Sequence, residues 1–242
     1  MLSPALETEL AAARANQLSY TLSPENAALL QEKTLVMLVS PVAVGKSYAI
    51  SRLIQADEEF KPVAVITTRE ARQDDDPALF RTVPHDDVHV GQILGAIKNG
   101  EMVNYTVHPT SGRIYGTFPS DYPGTFNVLP TLSGAVEQLR SAPFKRSVVI
   151  SLSTDPETWK HRLNLRYPEA SEERSKRLKE AAVSLKWMLH PDQSHTIFWA
   201  DNPDDPEAVV RSIIGIVKYN EKSDQAAREN ARRMLEIAEE LS

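Results

Sequence analysis

Apolar positions along the chain fall into short unbroken runs set between longer segments of helical periodicity. The runs are TLVMLV (34–39), PVAVITT (62–68), FNVL (126–129), RSVVISL (146–152) and HTIFWA (195–200). Each is long enough for a strand and too short for a helix. A strand that is apolar at nearly every position is buried on both faces, as in a parallel sheet covered by helices. Between the runs, DDVHVGQILGAIKNG places Val90, Ile93, Leu94 and Ile97 on one helical stripe, with Gly100 as its stop. EMVNYTVHPTSGRIYGTFP reads as a hairpin turning near Ser111-Gly112. Residues 4–33 read as polar helices. In SPENAALLQEK, Ser23 is the expected N-cap, Pro24 the first helical position and Glu25 an acid in the first turn. The last forty or so residues predict two helices, and the second, QAARENARRMLEIAEELS, is amphipathic and needs a surface to pack on.

The pattern predicts an α/β chain with a parallel central sheet, a hairpin and helical extensions at both ends. Composition narrows the setting. Of 242 residues, 41% are hydrophobic and 25% charged, ordinary for a globular chain. A net charge of −6 argues against wholesale nucleic-acid binding, so any anion site must be a local basic cluster. With no cysteine, disulfides and thiolate metal sites are excluded. The opening MLSPALETEL has neither a basic n-region nor an apolar core, so no signal peptide is expected, and no apolar run reaches the roughly 20 residues that span a bilayer. A cytoplasmic protein without a membrane partner is expected. The six histidines are not expected to hold a metal.

The first run leads into chemistry. TLVMLV is followed by SPVAVGKS and then by a helical pattern. Backbone N–H groups of such a loop, together with the start of the helix, form an anion nest. At a helix start, Gly45-Lys46-Ser47 would let the backbone approach a phosphate, send the Lys46 amine to the β- and γ-phosphates, and offer the Ser47 hydroxyl to Mg²⁺. Ser40 stands where such loops carry their first glycine; Val44 and Tyr48 complete the expected nucleotide contacts. The second run ends in ITTREAR, with Arg69 and Arg72 three residues apart just past a strand, where open α/β sheets bind ligands. Two guanidinium forks suit a phosphate dianion. Further on stand RIYGT (113–117) and the arginine-dense RLNLRYPEASEERSKRL (162–178).

In order and spacing these segments resemble the guanylate kinase family. The matching positions are Gly45-Lys46-Ser47, then Thr67-Thr68-Arg69 with Arg72, then Tyr115-Gly116-Thr117, then Arg162-Leu163 with Arg166, and finally Arg177-Leu178. The resemblance implies an ATP- and Mg²⁺-dependent phosphotransferase of three-layer P-loop NTPase fold over residues 34–218, with a small mixed-sheet acceptor-binding subdomain near 69–125 and a helical lid near 160–180. A helical arm (1–33) and a helical tail (219–242) lie outside it and are candidates for assembly. It implies that Lys46, Arg166 and Arg177 act on the transferred group, and that Arg69, Arg72, Tyr115 and Thr117 hold the acceptor. Asp201 and Asn202 would lie near the nucleotide's base.

The resemblance weakens where guanine is read. Asn104 stands at the family's carboxylate, Leu129 to Thr131 replace an acidic stretch, and Phe80 falls near a phosphate-holding tyrosine without its hydroxyl. Asp75 is positioned to stand in for a family glutamate. The expected substrate is a small phosphorylated acceptor, GMP first by resemblance, with another nucleotide or a sugar phosphate as the rival. A non-catalytic, peptide-binding module of the same fold is the alternative from another class.

Overall fold

The computed structural model describes residues 2–72, 75–108, 111–167, 171–190, 192, 197–201, 205–222 and 224–241. Its helices are α1 (Pro4–Asn16), α2 (Pro24–Ala28), α3 (Lys46–Ala56), α4 (Asp87–Lys98), α5 (Val136–Ser141), α6 (Pro156–Arg166), α7 (Glu172–Leu189), α8 (Pro206–Tyr219) and α9 (Gln225–Leu241). Its strands are β1 (Thr34–Val39), β2 (Phe60–Pro62), β3 (Val65–Thr67), β4 (Phe80–Thr82), β5 (Asn104–Val107), β6 (Ile114–Thr117), β7 (Phe126–Thr131), β8 (Arg146–Ser153) and β9 (Ile197–Asp201). Five strands form a parallel sheet of order β2-β7-β1-β8-β9, and four form a mixed sheet of order β4-β3-β6-β5. Central β1 is buried at all six positions, as its unbroken apolar run requires. The run 62–68 divides between the two sheets. Pro62 closes β2 in the parallel sheet, and Val65–Thr67 is β3 of the mixed one. Proline has no N–H for a ladder, which favours a break at that point.

The chain divides into two compact units. The first comprises residues 1–35, 61–127 and 137–146, and the second 36–60, 128–136 and 147–242. In the first unit, Asp86 caps α4 by accepting from His89 N at 2.9 Å, and Gly100 ends it at φ 67°. Glycine is required at 100, because a Cβ there would sit 2.8 Å from Ser23 N. The apolar stripe Val90, Ile93, Leu94 and Ile97 packs with Leu10, Met102, Tyr105, Val107 and Ile114. The N-terminal arm is therefore part of this core. Its side chains also dress the outer edge of β5, the last strand of the mixed sheet. Tyr20 donates to Met102 O at 2.6 Å and accepts from Met102 N at 3.1 Å, and Gln17 Oε1 accepts from Val107 N at 3.2 Å. An edge strand's open hydrogen-bonding groups are satisfied this way.

In the second unit, α3 packs with α8, and α9 lies against α6, α7 and β9. Ala227, Ala231, Met234 and Ala238 form the buried stripe of α9, so the amphipathic tail helix covers its own unit. Ser153 Oγ donates to Ala227 O at 2.6 Å, tying the start of that helix to the end of β8.

Candidate functional site

The loop after β1 adopts the backbone that an anion nest demands. Ala43 has φ 65° and Gly45 φ 97°, both left-handed, and Gly45 caps α3. Left-handed Ala43 is strained for a side-chain-bearing residue, and such strain persists only where the surroundings impose it. They do so here through α6. Trp159, fully buried, donates from Nε1 to Val42 O at 2.8 Å, and Arg162, one turn on, donates from Nη1 to Val44 O at 3.0 Å. These two braces were not singled out by the sequence as loop contacts; only their i, i+3 spacing on one helix face hinted at a shared target. Lys46 opens α3 and turns Nζ to Thr131 O at 3.3 Å. Withdrawal from water lowers its pKa to about 8. Ser47 and Tyr48 are exposed on the first turn, while Ser40 is buried with its hydroxyl donating to Pro41 O at 3.1 Å.

The arginines of α6 and α7 have separate tasks. Arg174 is 7% exposed and donates to Tyr167 O at 3.0 Å, linking the end of α6 to the start of α7. Arg177 pairs with Glu173 at 3.2 Å and Glu180 at 2.8 Å on its own helix, and Arg166 lies 5.8 Å from the Tyr167 ring centroid. Asp201 ends β9 in register with Ser153; Asn202 lies outside the described residues. Among the described residues, the hydroxyls of Ser151 and Thr154, at the end of β8, are buried without a hydrogen-bond partner.

In the first unit, the register of the mixed sheet sorts side chains onto two faces. Ile66 pairs with Gly116 and Gly116 with Tyr105, and this set faces the core under α4. The alternate set forms the other face: Val65 pairs with Phe80, Thr67 with Tyr115, Tyr115 with Thr106, and Thr117 with Asn104. The Arg69 guanidinium lies 4.9 Å from the Phe80 ring centroid. One sheet face thus gathers Arg69, Phe80, Asn104, Tyr115 and Thr117. Asp75 pins Arg69 with two 2.6 Å bonds and also accepts from Arg72 N at 2.7 Å. The Arg69 hydrogen bonds hold the Asp75 carboxyl below its ordinary pKa. The Arg72 side chain is exposed.

On this face, Tyr122 is fully buried against Phe144, with ring centroids 5.1 Å apart. Its hydroxyl lies 2.7 Å from Thr117 Oγ1, which in turn donates to Asn104 Oδ1 at 2.6 Å. Nothing in the sequence pattern marked Tyr122. Gly116 is required between these residues because a Cβ would stand 2.7 Å from Asn104 O. At the far end of β3, Thr68 Oγ1 accepts from Ile114 N at 2.9 Å and meets His85 Nδ1 at 3.0 Å. Burial lowers the His85 pKa.

No family model matches the chain, and no curated protein does. Among solved structures it is similar to a guanylate kinase from Anaplasma phagocytophilum, with 18% identity and a TM-score of 0.48, over 86% of this chain and 97% of that one. It is also similar to HypB from Helicobacter pylori in complex with nickel, with 12% identity and a TM-score of 0.33, over 91% of this chain and 99% of that one.

Proposed function

We propose that the chain is a P-loop phosphotransferase that moves the γ-phosphoryl group of ATP to a small phosphorylated acceptor, a nucleoside monophosphate. The observation that carries this reading is the loop 40–47. Two left-handed residues and a helix N-terminus meet there, Lys46 opens that helix with its amine on Thr131 O, and a neighbouring helix braces the carbonyls of Val42 and Val44. That arrangement suits a triphosphate: backbone N–H groups face the anion, and the lysine supplies a point charge. The second anion grip, on the mixed sheet, separates a kinase from a simple hydrolase. Arg69 is held rigid and partly withdrawn from water there, as a phosphate anchor should be.

Phosphoryl transfer asks for positioning and positive charge more than for covalent chemistry. Lys46 and the loop amides would hold the donor phosphates, Arg69, Arg72 and Tyr115 the acceptor phosphate, and Arg166 and Arg177 the group in flight. The acceptor's own phosphate oxygen forms the new P–O bond as the bond to ADP breaks, so no strong base is required. No group of three or more His, Cys, Asp or Glu suited to a metal exists among the described residues. Mg²⁺ would therefore rest on Ser47 and on the nucleotide's own phosphates, where it supplies charge neutralisation. Acceptor-dependent ADP release, measured across monophosphates and sugar phosphates beside a Lys46→Ala control, tests the proposal. Turnover that survives Lys46→Ala contradicts the loop's role. Peptide binding without any turnover would favour a non-catalytic module.

A further inference from the structure

The buried chain Tyr122–Thr117–Asn104 decides which end of an amide faces the acceptor. Its three members have only two hydroxyl hydrogens to place. Thr117 Oγ1 stands between the Tyr122 hydroxyl at 2.7 Å and the Asn104 amide at 2.6 Å. If Thr117 donates to Asn104 Oδ1, then Tyr122 donates to Thr117 and every hydroxyl hydrogen is used. If the amide were turned so that its nitrogen faced Thr117, Thr117 would donate to Tyr122. The Tyr122 hydrogen would then be stranded in a site with no exposure to water. Stranding a buried donor is disfavoured. Burial keeps the Tyr122 phenol protonated by raising its pKa, so the donor is always present. The Asn104 carbonyl is therefore consumed inside the protein. Asn104 is 7% exposed, and its Nδ2 has no protein acceptor among the described residues.

We infer that Asn104 presents N–H donors to the acceptor substrate, so that the base edge it meets must offer a carbonyl oxygen or unprotonated ring nitrogen and cannot be guanine's N1–H and 2-amino edge, which needs an acceptor. Thr117 and Tyr122 are positioning residues that fix this polarity. The inference rests on the reading of the mixed-sheet face as the acceptor site, where Asn104 shares a face with Tyr115 and with the Arg69-bearing Phe80. A carboxylate at the same position would present the opposite polarity, and a site built for one pattern leaves a buried group unpaired with the other.

The test is calorimetric titration of the full chain with AMP, CMP, dTMP, UMP, GMP and ribose 5-phosphate. At least one of the first four should bind ten times or more tightly than GMP and than ribose 5-phosphate. Asn104→Asp should reverse the ranking toward GMP by at least tenfold. The double variant Thr117→Val/Tyr122→Phe removes both hydroxyls while keeping side-chain shape, and so frees the amide to turn. Its preference should fall toward parity. Preference for GMP in the parent chain overturns the inference, as does a ranking indifferent to Asn104→Asp or equal binding of ribose 5-phosphate and the best nucleotide. Binding that follows the expected ranking without transfer from ATP would instead overturn the phosphotransferase reading and leave the inference standing. If no ligand binds, the acceptor site itself is wrong and the inference falls with it.

Discussion

Asp75 holds Arg69 by both guanidinium nitrogens, each at 2.6 Å, with side-chain exposures of 14% and 10%. A fork so fixed is oriented before any ligand arrives, which lowers the ordering cost of binding. Arg69→Ala should raise the acceptor KM at least tenfold and leave the ATP KM unchanged, since one charge-assisted phosphate contact is worth about 1.5–3 kcal/mol. Asp75→Asn should keep Arg69 but loosen it, raising the acceptor KM several-fold and lowering stability by about 1–3 kcal/mol. A fall in acceptor KM in Asp75→Asn would mean that the carboxylate competes with the phosphate instead of aiming the arginine.

Trp159 ties α6 to the strained loop through Val42 O. Trp159→Phe retains most of the buried ring and removes only the N–H. The expected cost is about 1 kcal/mol of stability, with a several-fold rise in the ATP KM and no change in the acceptor KM. Initial rates against each substrate, beside a urea melt, separate the two effects. An unchanged ATP KM would deny Trp159 any part in shaping the loop.

Gly116→Ala should be costly although the residue lies in an ordinary strand. The new Cβ would meet Asn104 O at 2.7 Å, and backbone on that side cannot give way without moving β5. We expect a loss of about 1–3 kcal/mol by denaturant titration, together with weakened acceptor binding. A variant of parental stability would show that β5 is free to shift.

His85 gives the fold a pH dependence. Burial lowers its pKa below the ordinary 6.5, so the folded chain keeps the ring neutral while the unfolded chain takes up a proton. Stability contributed by the neutral ring is intact above 6.5 and declines as pH falls below it. The urea midpoint should drop between pH 7.5 and 5.5, and His85→Gln should flatten that slope relative to the parent. An unchanged slope would place the proton uptake elsewhere.

Much of this architecture is legible in the sequence because its signals are local. The all-apolar TLVMLV specifies a buried strand, the spacing of Val90, Ile93, Leu94 and Ile97 specifies a helix face, and Gly45-Lys46-Ser47 marks a strand-to-helix loop. The division of residues 62–68 between two sheets was not legible, since both sheets want apolar residues and only Pro62 hints at a break. Long-range polar pairings were equally hidden. Trp159 reaches back 117 positions to Val42, and nothing in either neighbourhood encodes the other. The polarity of Asn104 depends on a hydrogen carried by Tyr122, which no pattern of residue types reveals.

The central claim is group transfer between two separately held phosphates. Phosphorus NMR of the full chain with ATP, Mg²⁺ and the best-binding monophosphate measures it directly. The expected result is a pair of coupled resonances from a new diphosphate, growing as ATP is converted to ADP and lost in Lys46→Ala. ADP accompanied only by inorganic phosphate, at a rate indifferent to the monophosphate, would contradict the account and mark the chain as a hydrolase.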